Sequence, residues 1–272
     1  MKLGDFYNCV VKFGSRLDVR GPNKKINYFP DTALLHGDPG INVKKILIGI
    51  DMEVPEIILA ESIRNREGLD LVISHHPEGR AYASLYEVMS LQIDMLAKAG
   101  LAKKVAQELL EIRMREVERR VLPQNHMRSV DAARILNMPY MCMHTPADNH
   151  VSDFLTKFIN RNKPDRLCDL IVLLLQTPEY RDAQTYGCGP RIILGNPNKK
   201  VGKVFMEMTG GTEGSKDVYT KLYKNGIRTL LCMHLSEEHL KKAADANLNV
   251  VIAGHISSDT LGINLLLDKI ED

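Results

Sequence analysis

The chain has 272 residues, of which 44% are hydrophobic and 26% are charged, a balance typical of a folded globular protein with its own core. The formal net charge of +2 is too small to favour nucleic acid or an anionic membrane as the main partner, and no apolar run reaches the ~20 residues of a membrane span. The first residues lack the apolar segment of an export signal, and the five cysteines include no C-x-x-C pair, so we expect a cytoplasmic protein with reduced thiols.

The segment 44–76 predicts a strand, a helix and a second strand. The strands are the apolar runs "KKILIGID" and "LDLVISHH", and the helix between them, "PEIILAESIRNREG", ends at Gly68. The apolar face predicted for this helix consists of Ile57, Ile58, Ala60 and Ile63. Because short links join the three elements, we expect a βαβ unit within a parallel sheet.

Residues 84–122 are rich in helix-forming residues and contain no proline, which predicts helices divided at Gly100. We interpret this stretch as the centre of a long helical insertion at about residues 80–130. The charges of its second helix indicate a solvent-exposed surface. The alternative is an oligomer contact through the apolar residues Val105, Leu109, Ile112 and Val117.

The rest of the chain alternates between short apolar strands and helices. The strands are predicted in "ILNMPYMCMH", "KVFMEM", "IRTLLCMH" and "LNVVIAGH". The glycines of "TGGTEGS" form either a tight turn, which we favour, or a loop whose N–H groups bind a phosphate. The fold class is therefore α/β, with two α/β lobes whose mostly parallel or mixed sheets are flanked by helices. We expect the first lobe to comprise residues 1–160, with the closing segment 250–272 packed on it, and the second lobe to comprise residues 161–249.

Residues of the metal-ligand type follow three of the predicted strands. They are His75 and His76, then His144 and Asp148, and finally His255 and Asp259. Ligands collect at the carboxyl ends of parallel strands, and imidazole with carboxylate suits Zn, Fe or Mn. Two adjacent histidines reach one site only where a strand ends and the chain turns, as Pro77 requires. They then suit two neighbouring metals better than one, with Asp148 or Asp259 as a bridging carboxylate.

Each of these residues also has a structural interpretation. A single histidine at a strand end more often makes a structural hydrogen bond than binds a metal. Asp148 could cap a helix that starts near Val151, and Asp259 could be a first-turn acid of a helix capped by Ser257 or Ser258. The coincidence of three such clusters favours a metal site.

The order "ISHHP", "HTPADNH" and "AGHISSDTLGINLLLD" resembles the motifs of the NGG-interacting factor three-like (Nif-three-like) family. Some members of that family are labelled GTP cyclohydrolase 1 type 2. The resemblance implies two α/β lobes with two divalent metal ions in the cleft between them, and a homo-oligomer that is usually a hexamer. It implies metal ligands at His75, His76, Asp148, His255 and Asp259, and it places His144 beside the metals.

The chain departs from the family pattern at several positions. Asp259 stands where the family usually has Glu, and His234 replaces an acid after the strand "IRTLLC". The segment between His76 and Asp148 is much longer than in short family members, and residues 1–43 match poorly. The first two differences change the side chains available at the expected site.

These features predict a dinuclear metal-dependent hydrolase that acts on a small substrate, such as a nucleotide or another phosphate-bearing molecule, through a metal-activated water. His144 and His234 are the predicted catalytic residues, because imidazole transfers protons near neutral pH. The alternative is a non-catalytic oligomeric scaffold or regulator that the metals stabilise. Nucleic-acid binding is not expected, since the charge is balanced and aromatic residues make up only 6% of the chain.

Overall fold

The computed structural model describes residues 1–21 and 24–271. The strands are β1 (Ala33–His36), β2 (Ile46–Gly49), β3 (Leu71–Ser74), β4 (Tyr140–Cys142), β5 (Arg191–Leu194), β6 (Lys203–Glu207), β7 (Ile227–Cys232) and β8 (Asn249–Ile252). The α-helices are α1 (Leu3–Arg16), α2 (Val54–Glu67), α3 (Gly79–Ala83), α4 (Leu85–Val88), α5 (Gln92–Lys98), α6 (Lys103–Val121), α7 (Arg128–Ile135), α8 (Thr145–Asn162), α9 (Leu167–Leu174), α10 (Pro178–Thr185), α11 (Tyr219–Lys224), α12 (Glu237–Asp245) and α13 (His255–Glu271). In the described part of the chain, no helix is both long enough and apolar enough to cross a membrane.

The chain forms two compact units, each built from more than one segment. The first comprises Met1–Val88, Met114–Ala147 and Ile263–Asp272, and the second comprises Met89–Arg113 and Asp148–Gly262. Each unit contains one four-stranded mixed sheet with helices packed around it. The predicted class, two α/β lobes with mixed sheets flanked by helices, is therefore confirmed.

The sheet of the first unit has the strand order β1-β4-β3-β2, with β2, β3 and β4 parallel and β1 antiparallel to β4. Alternate residues of β3 point to opposite faces of the sheet. Leu71 and Ile73 belong to a core formed with α1 and the end of α13, whereas Val72 belongs to a core formed with α2 and α7. Both faces are covered, which explains why the strand is apolar at consecutive positions.

Helix α2 packs with a narrower apolar face than the sequence predicted. Ile57 and Ala60 are fully buried and Ile63 is partly buried against the same core. Ile58, however, is 58% exposed, so its assignment to the buried face was wrong. Consecutive residues on a helix point about 100° apart, and Ile57 already faces the sheet.

The sheet of the second unit has the order β5-β8-β7-β6, which repeats the topology of the first. Strands β6, β7 and β8 are parallel, and β5 is antiparallel to β8. Leu230 and Leu231 in β7 and Val250 and Val251 in β8 are fully buried, as expected for central strands covered on both faces.

The predicted insertion is the helical region from α3 to α7, between β3 and β4. Gly100 lies between α5 and α6 with φ +103°, as the predicted helix break requires. On α6, Ile112 is 70% exposed, whereas Val117 is buried within the chain. The oligomer contact through this helix stays a prediction, and Val117 does not contribute surface to it.

Candidate metal centre

Three histidines of the first unit converge where parallel strands end. Ser74 closes β3 and pairs with Cys142, which closes β4. His75 and His76 follow β3 directly, and His144 follows β4 after Met143. Their ring centroids lie 5.4, 5.0 and 6.0 Å apart in the pairs 75–76, 75–144 and 76–144. Neighbouring parallel strands end at the same edge of a sheet, so residues distant in sequence meet there.

Hydrogen bonds fix the orientation of the paired histidines. The Nδ1 atom of His75 lies 3.1 Å from the carbonyl oxygen of Met143, which can only accept. The Nδ1 atom of His76 lies 2.6 Å from Oδ1 of Asp51, an acceptor when it is ionised. Each ring therefore donates through Nδ1–H, and in the neutral imidazole the lone pair that can bind a metal is on Nε2.

His144 is held in the same way by a residue that the sequence analysis did not identify. Its Nδ1 lies 2.8 Å from Oδ2 of Asp31, which is fully buried. The same oxygen accepts a hydrogen bond from the Thr145 hydroxyl at 2.6 Å. A carboxylate behind a metal-binding imidazole is a recurring arrangement that fixes the ring and raises its basicity. No local pattern marks Asp31, because its partner is far away in the chain.

Asp148 lies in the first turn of α8 and Asp259 in the second turn of α13, and both helices begin earlier than predicted. Helix α8 begins at Thr145, so Asp148 lies inside its first turn and does not cap a helix at Val151. Helix α13 begins at His255, so the predicted caps at Ser257 and Ser258 were wrong. Proline is tolerated in a first helical turn, and the first N–H groups of a helix favour a nearby acid.

These side chains form two groups that can hold a metal ion. The His76 group consists of His75, His76 and Asp259, and the His144 group consists of His75, His144 and Asp148. Within each group the potential ligand atoms lie within 4.8 Å of one another, and His75 belongs to both. Donors about 2.0–2.2 Å from one ion are at most about 4.4 Å apart, so small side-chain adjustments suffice. Imidazole and carboxylate fit divalent ions such as Zn, Fe or Mn.

His255 lies beside these groups without belonging to either, among the residues that the structure describes. Its Nε2 lies 3.6 Å from Oδ2 of Asp259, one helical turn away on α13. Its ring centroid lies 4.7 Å from that of His234. Of the predicted ligands, the structure thus gathers His75, His76, Asp148 and Asp259 into donor groups. It also places His144, predicted as a catalytic residue, among the potential ligands.

His234 has an acidic partner that sequence analysis did not reveal. Its Nδ1 lies 3.3 Å from Oε1 of Glu213, and this hydrogen bond raises the pKa of His234. Burial alone would raise the pKa of Glu213, but the hydrogen bond from His234 and the charges of His239 and His234 lower it to about 2. Glu213 belongs to the glycine-containing segment that precedes α11, so this segment forms a hydrogen bond with His234.

The segment Thr209–Ser215 is a bent loop between β6 and a 3₁₀ turn, and the tight turn stays a prediction. Gly210 and Gly211 have φ values of +101° and +87°. The Gln92 amide donates to the carbonyl oxygens of Gly210 and Thr212 at 2.8 and 2.7 Å. A 3₁₀ turn and the six-residue helix α11 follow, which is too short to supply a helix N-terminus for a phosphate.

No family model matches the chain, and neither does any curated protein. Among solved structures, a NIF3 superfamily protein from Sphaerobacter thermophilus matches with a TM-score of 0.80 and 24% identity over 96% of this chain and 93% of that chain. HcgD from Methanocaldococcus jannaschii matches with a TM-score of 0.60 and 14% identity, over 100% of this chain and 94% of that chain. TTHA1606 from Thermus thermophilus matches with a TM-score of 0.53 and 13% identity, over 100% of this chain and 93% of that chain. The predicted resemblance to the Nif-three-like family is thereby confirmed for the fold.

Proposed function

We propose that this chain, which has the fold of a NIF3 superfamily protein, binds two divalent metal ions and is a metal-dependent hydrolase of a small substrate. The observation that carries the proposal is the pair of donor groups that share His75. The single lone pair on Nε2 of His75 binds one ion, so the second ion would be held by the remaining donors of the other group, close to the first. The expected ligands are His75, His76, Asp148, His255 and Asp259, with His144 as a further donor.

The residues around the donors have distinct roles in this proposal. When bound, the ions would lower the pKa of a water molecule so that it can attack a carbonyl or phosphoryl centre. Asp31 and Asp51 hold the rings of His144 and His76 with Nε2 available to the metals. His234, whose Nδ1 faces Glu213, would transfer a proton through its other ring nitrogen.

The exposure of the donors supports access by a small substrate. His75 and Asp259 are almost completely buried, which anchors the ions. The side chains of His76 and His255 are 24% and 37% exposed, so the donor set reaches solvent on one side. A catalytic metal keeps a coordination position for water or substrate, and a solvent-facing side allows it. A nucleotide or another phosphate-bearing molecule is the substrate class that we propose.

A second candidate function is a non-catalytic scaffold or regulator that the metals stabilise. The burial of most donors favours it, because structural metal sites are closed to solvent. A scaffold loses thermal stability when a chelator removes the metal, yet it turns over no substrate. Screening GTP, simple phosphoesters and cyclic amides with Mn, Fe or Zn added separates the two functions. Turnover that a chelator abolishes supports the hydrolase, and stabilisation without turnover supports the scaffold.

Metal analysis of the purified protein tests the site itself. We expect about two ions per chain in the wild type. The double variant His75→Ala/His76→Ala should lose most of them, whereas substitution of His36, a partly buried histidine outside the donor groups, by alanine (His36→Ala) should not. An unchanged metal content in the double variant would remove the basis of the proposal.

The cytoplasmic location and the hexamer complete the proposal. Scattered, unpaired cysteines support the location, and the family resemblance supports the assembly. Light scattering coupled to size-exclusion chromatography would measure the mass of the assembly. A monomer at micromolar concentration would contradict the hexamer and leave the metal site unaffected.

A further inference from the structure

The second unit contains a cavity of about 580 Å³ that the metal centre does not use. Thr156, Ile159 and Asn160, on one face of the last turns of α8, form one wall. The segment that leads into and along β6 also lines the cavity, through Lys200, Val201, Gly202, Lys203, Val204 and Met206. A volume of this size matches pockets for small organic ligands.

The rim of the cavity is positively charged. Lys163, Lys200 and Lys203 line it, and all three are exposed. Within residues 1–21 and 24–271, their ammonium groups make no hydrogen bond or ion pair. Asp165 is the one acid among the lining residues that the structure describes. In a concave site the charges of one sign reinforce each other and attract a ligand of opposite sign.

Part of the cavity lining is apolar. Ile159 is 7% exposed and Val201 is 2% exposed, and Val204 and Met206 are partly buried beside them. An apolar surface under a ring of ammonium groups fits a ligand with an apolar body and an acidic group. A bare inorganic anion would contact only the rim.

We propose that this cavity binds a small organic anion, whose apolar body packs on Ile159, Val201 and Met206. Its phosphate, sulfonate or carboxylate group pairs with Lys163, Lys200 and Lys203. The site is separate from the metal centre, since Thr156 lies two helical turns beyond Asp148 on α8. At 1.5 Å per residue, that separation is about 12 Å along the helix axis.

The probe for this site is 8-anilinonaphthalene-1-sulfonate, which combines an aromatic body with a sulfonate and fluoresces when it is bound in an apolar pocket. We expect saturable binding that weakens with added salt, because exposed charges are screened. The double variant Lys163→Glu/Lys203→Glu should bind about tenfold more weakly, since charge reversal at two positions repels the sulfonate. Met206→Gln should also weaken binding, through the apolar contact.

The matched control is Lys199→Glu/Lys221→Glu, which reverses two lysines that do not line the cavity. The net charge of the chain changes equally in the two double variants, so only local charge distinguishes them. A loss confined to the cavity variants supports the proposal. Equal affinity in all variants, or an equal loss in the control, overturns it. Far-UV circular dichroism confirms that each variant is folded before the comparison.

Discussion

The two sheets of this protein share one topology, yet among the described residues the histidines of the two donor groups all follow strands of the first sheet. In the first unit, β3 and β4 are followed by His75, His76 and His144, whose Nδ1 atoms each face an oxygen acceptor. In the second unit, β7 and β8 are followed by His234 and His255. The helices that follow the last strands, α8 and α13, each carry an acid near the N-terminal end, Asp148 in the first turn of α8 and Asp259 in the second turn of α13.

This difference shows that the strand order and the hydrogen-bond acceptors of the histidine rings have separate effects on the site. The strand order brings polar residues to the carboxyl edge of each sheet. The acceptors behind the rings decide which nitrogen is available to a ligand. In the first unit Asp31 and Asp51 leave Nε2 of His144 and His76 as the donors, whereas Glu213 pairs with His234, which belongs to neither donor group.

The largest expected effect comes from the histidine that the two donor groups share. His75→Ala removes a fully buried imidazole that either group needs for three donors, and it should lower bound metal the most. His76→Ala and His144→Ala each disrupt one group and should retain about half of the metal. Metal content after equilibration with Zn or Mn measures the difference. Equal retention in the three variants would show that His75 contributes no more to metal binding than His76 or His144.

A smaller effect is expected from the acceptors behind the rings. Asp31→Asn should weaken metal affinity about 10- to 100-fold, because the carboxylate no longer orients His144. Glu213→Gln, which alters the acceptor of His234, should leave the affinity within about twofold. Titration against a chelator of known affinity gives both values. A loss in Glu213→Gln as large as that in Asp31→Asn would contradict the contrast between the two units.

The pairing of Glu213 with His234 predicts a pH dependence of stability. The pKa of Glu213 is lowered from its ordinary 4.5 to about 2, because the partly buried carboxylate interacts with His234 and His239. This contribution is fully present above about pH 4.5 and is lost as the pH falls towards 2. Urea unfolding should therefore show Glu213→Gln to be less stable than the wild type above pH 4.5, with the difference shrinking towards pH 2.

The control for this experiment is Glu237→Gln, an exposed acid on α12. Its stability should follow that of the wild type throughout the same pH range. A constant difference between Glu213→Gln and the wild type would mean that the ionised carboxylate contributes nothing, and that the variant acts through packing.

The smallest effects test whether the repeated topology extends to the turns. Gly37 follows β1 and Gly195 follows β5, with φ values of +117° and +116°. Alanine at either position should cost about 1–3 kcal/mol of unfolding free energy, because L-residues avoid this conformation and the added Cβ meets close neighbours. Gly68→Ala, with φ +75° and open space around it, isolates the backbone contribution. A cost at only one of the two equivalent turns would show that they differ.

Local patterns predicted the strands that carry the site. Each of the strands β3, β4, β7 and β8 arises from a short run of mostly apolar residues in the sequence. The histidines that follow these runs can be identified without a structure. The helix starts were less accurate, because the helix that follows "HTPADNH" was expected to start near Val151 and starts at Thr145. Pro146 lies in the first turn of α8, where its missing N–H costs nothing.

Residues 1–43 show why other parts could not be predicted. They contain α1 and β1, and α1 packs on the first sheet through Leu3, Phe6 and Val10. Strand β1 has only four residues and pairs antiparallel to β4, more than a hundred positions away. A short strand gains its stability from such distant partners, so its own sequence carries little signal.

The sequence by itself determined the α/β class, the central strands and the chemical types of the side chains that follow them, because periodicity and residue type are local properties. Only the tertiary structure decided which donors form groups, that His75 belongs to two of them, and that Asp31 supports His144. These outcomes depend on hydrogen bonds and distances between segments far apart in the chain, and such geometry exists only after the strands have paired and the core has packed.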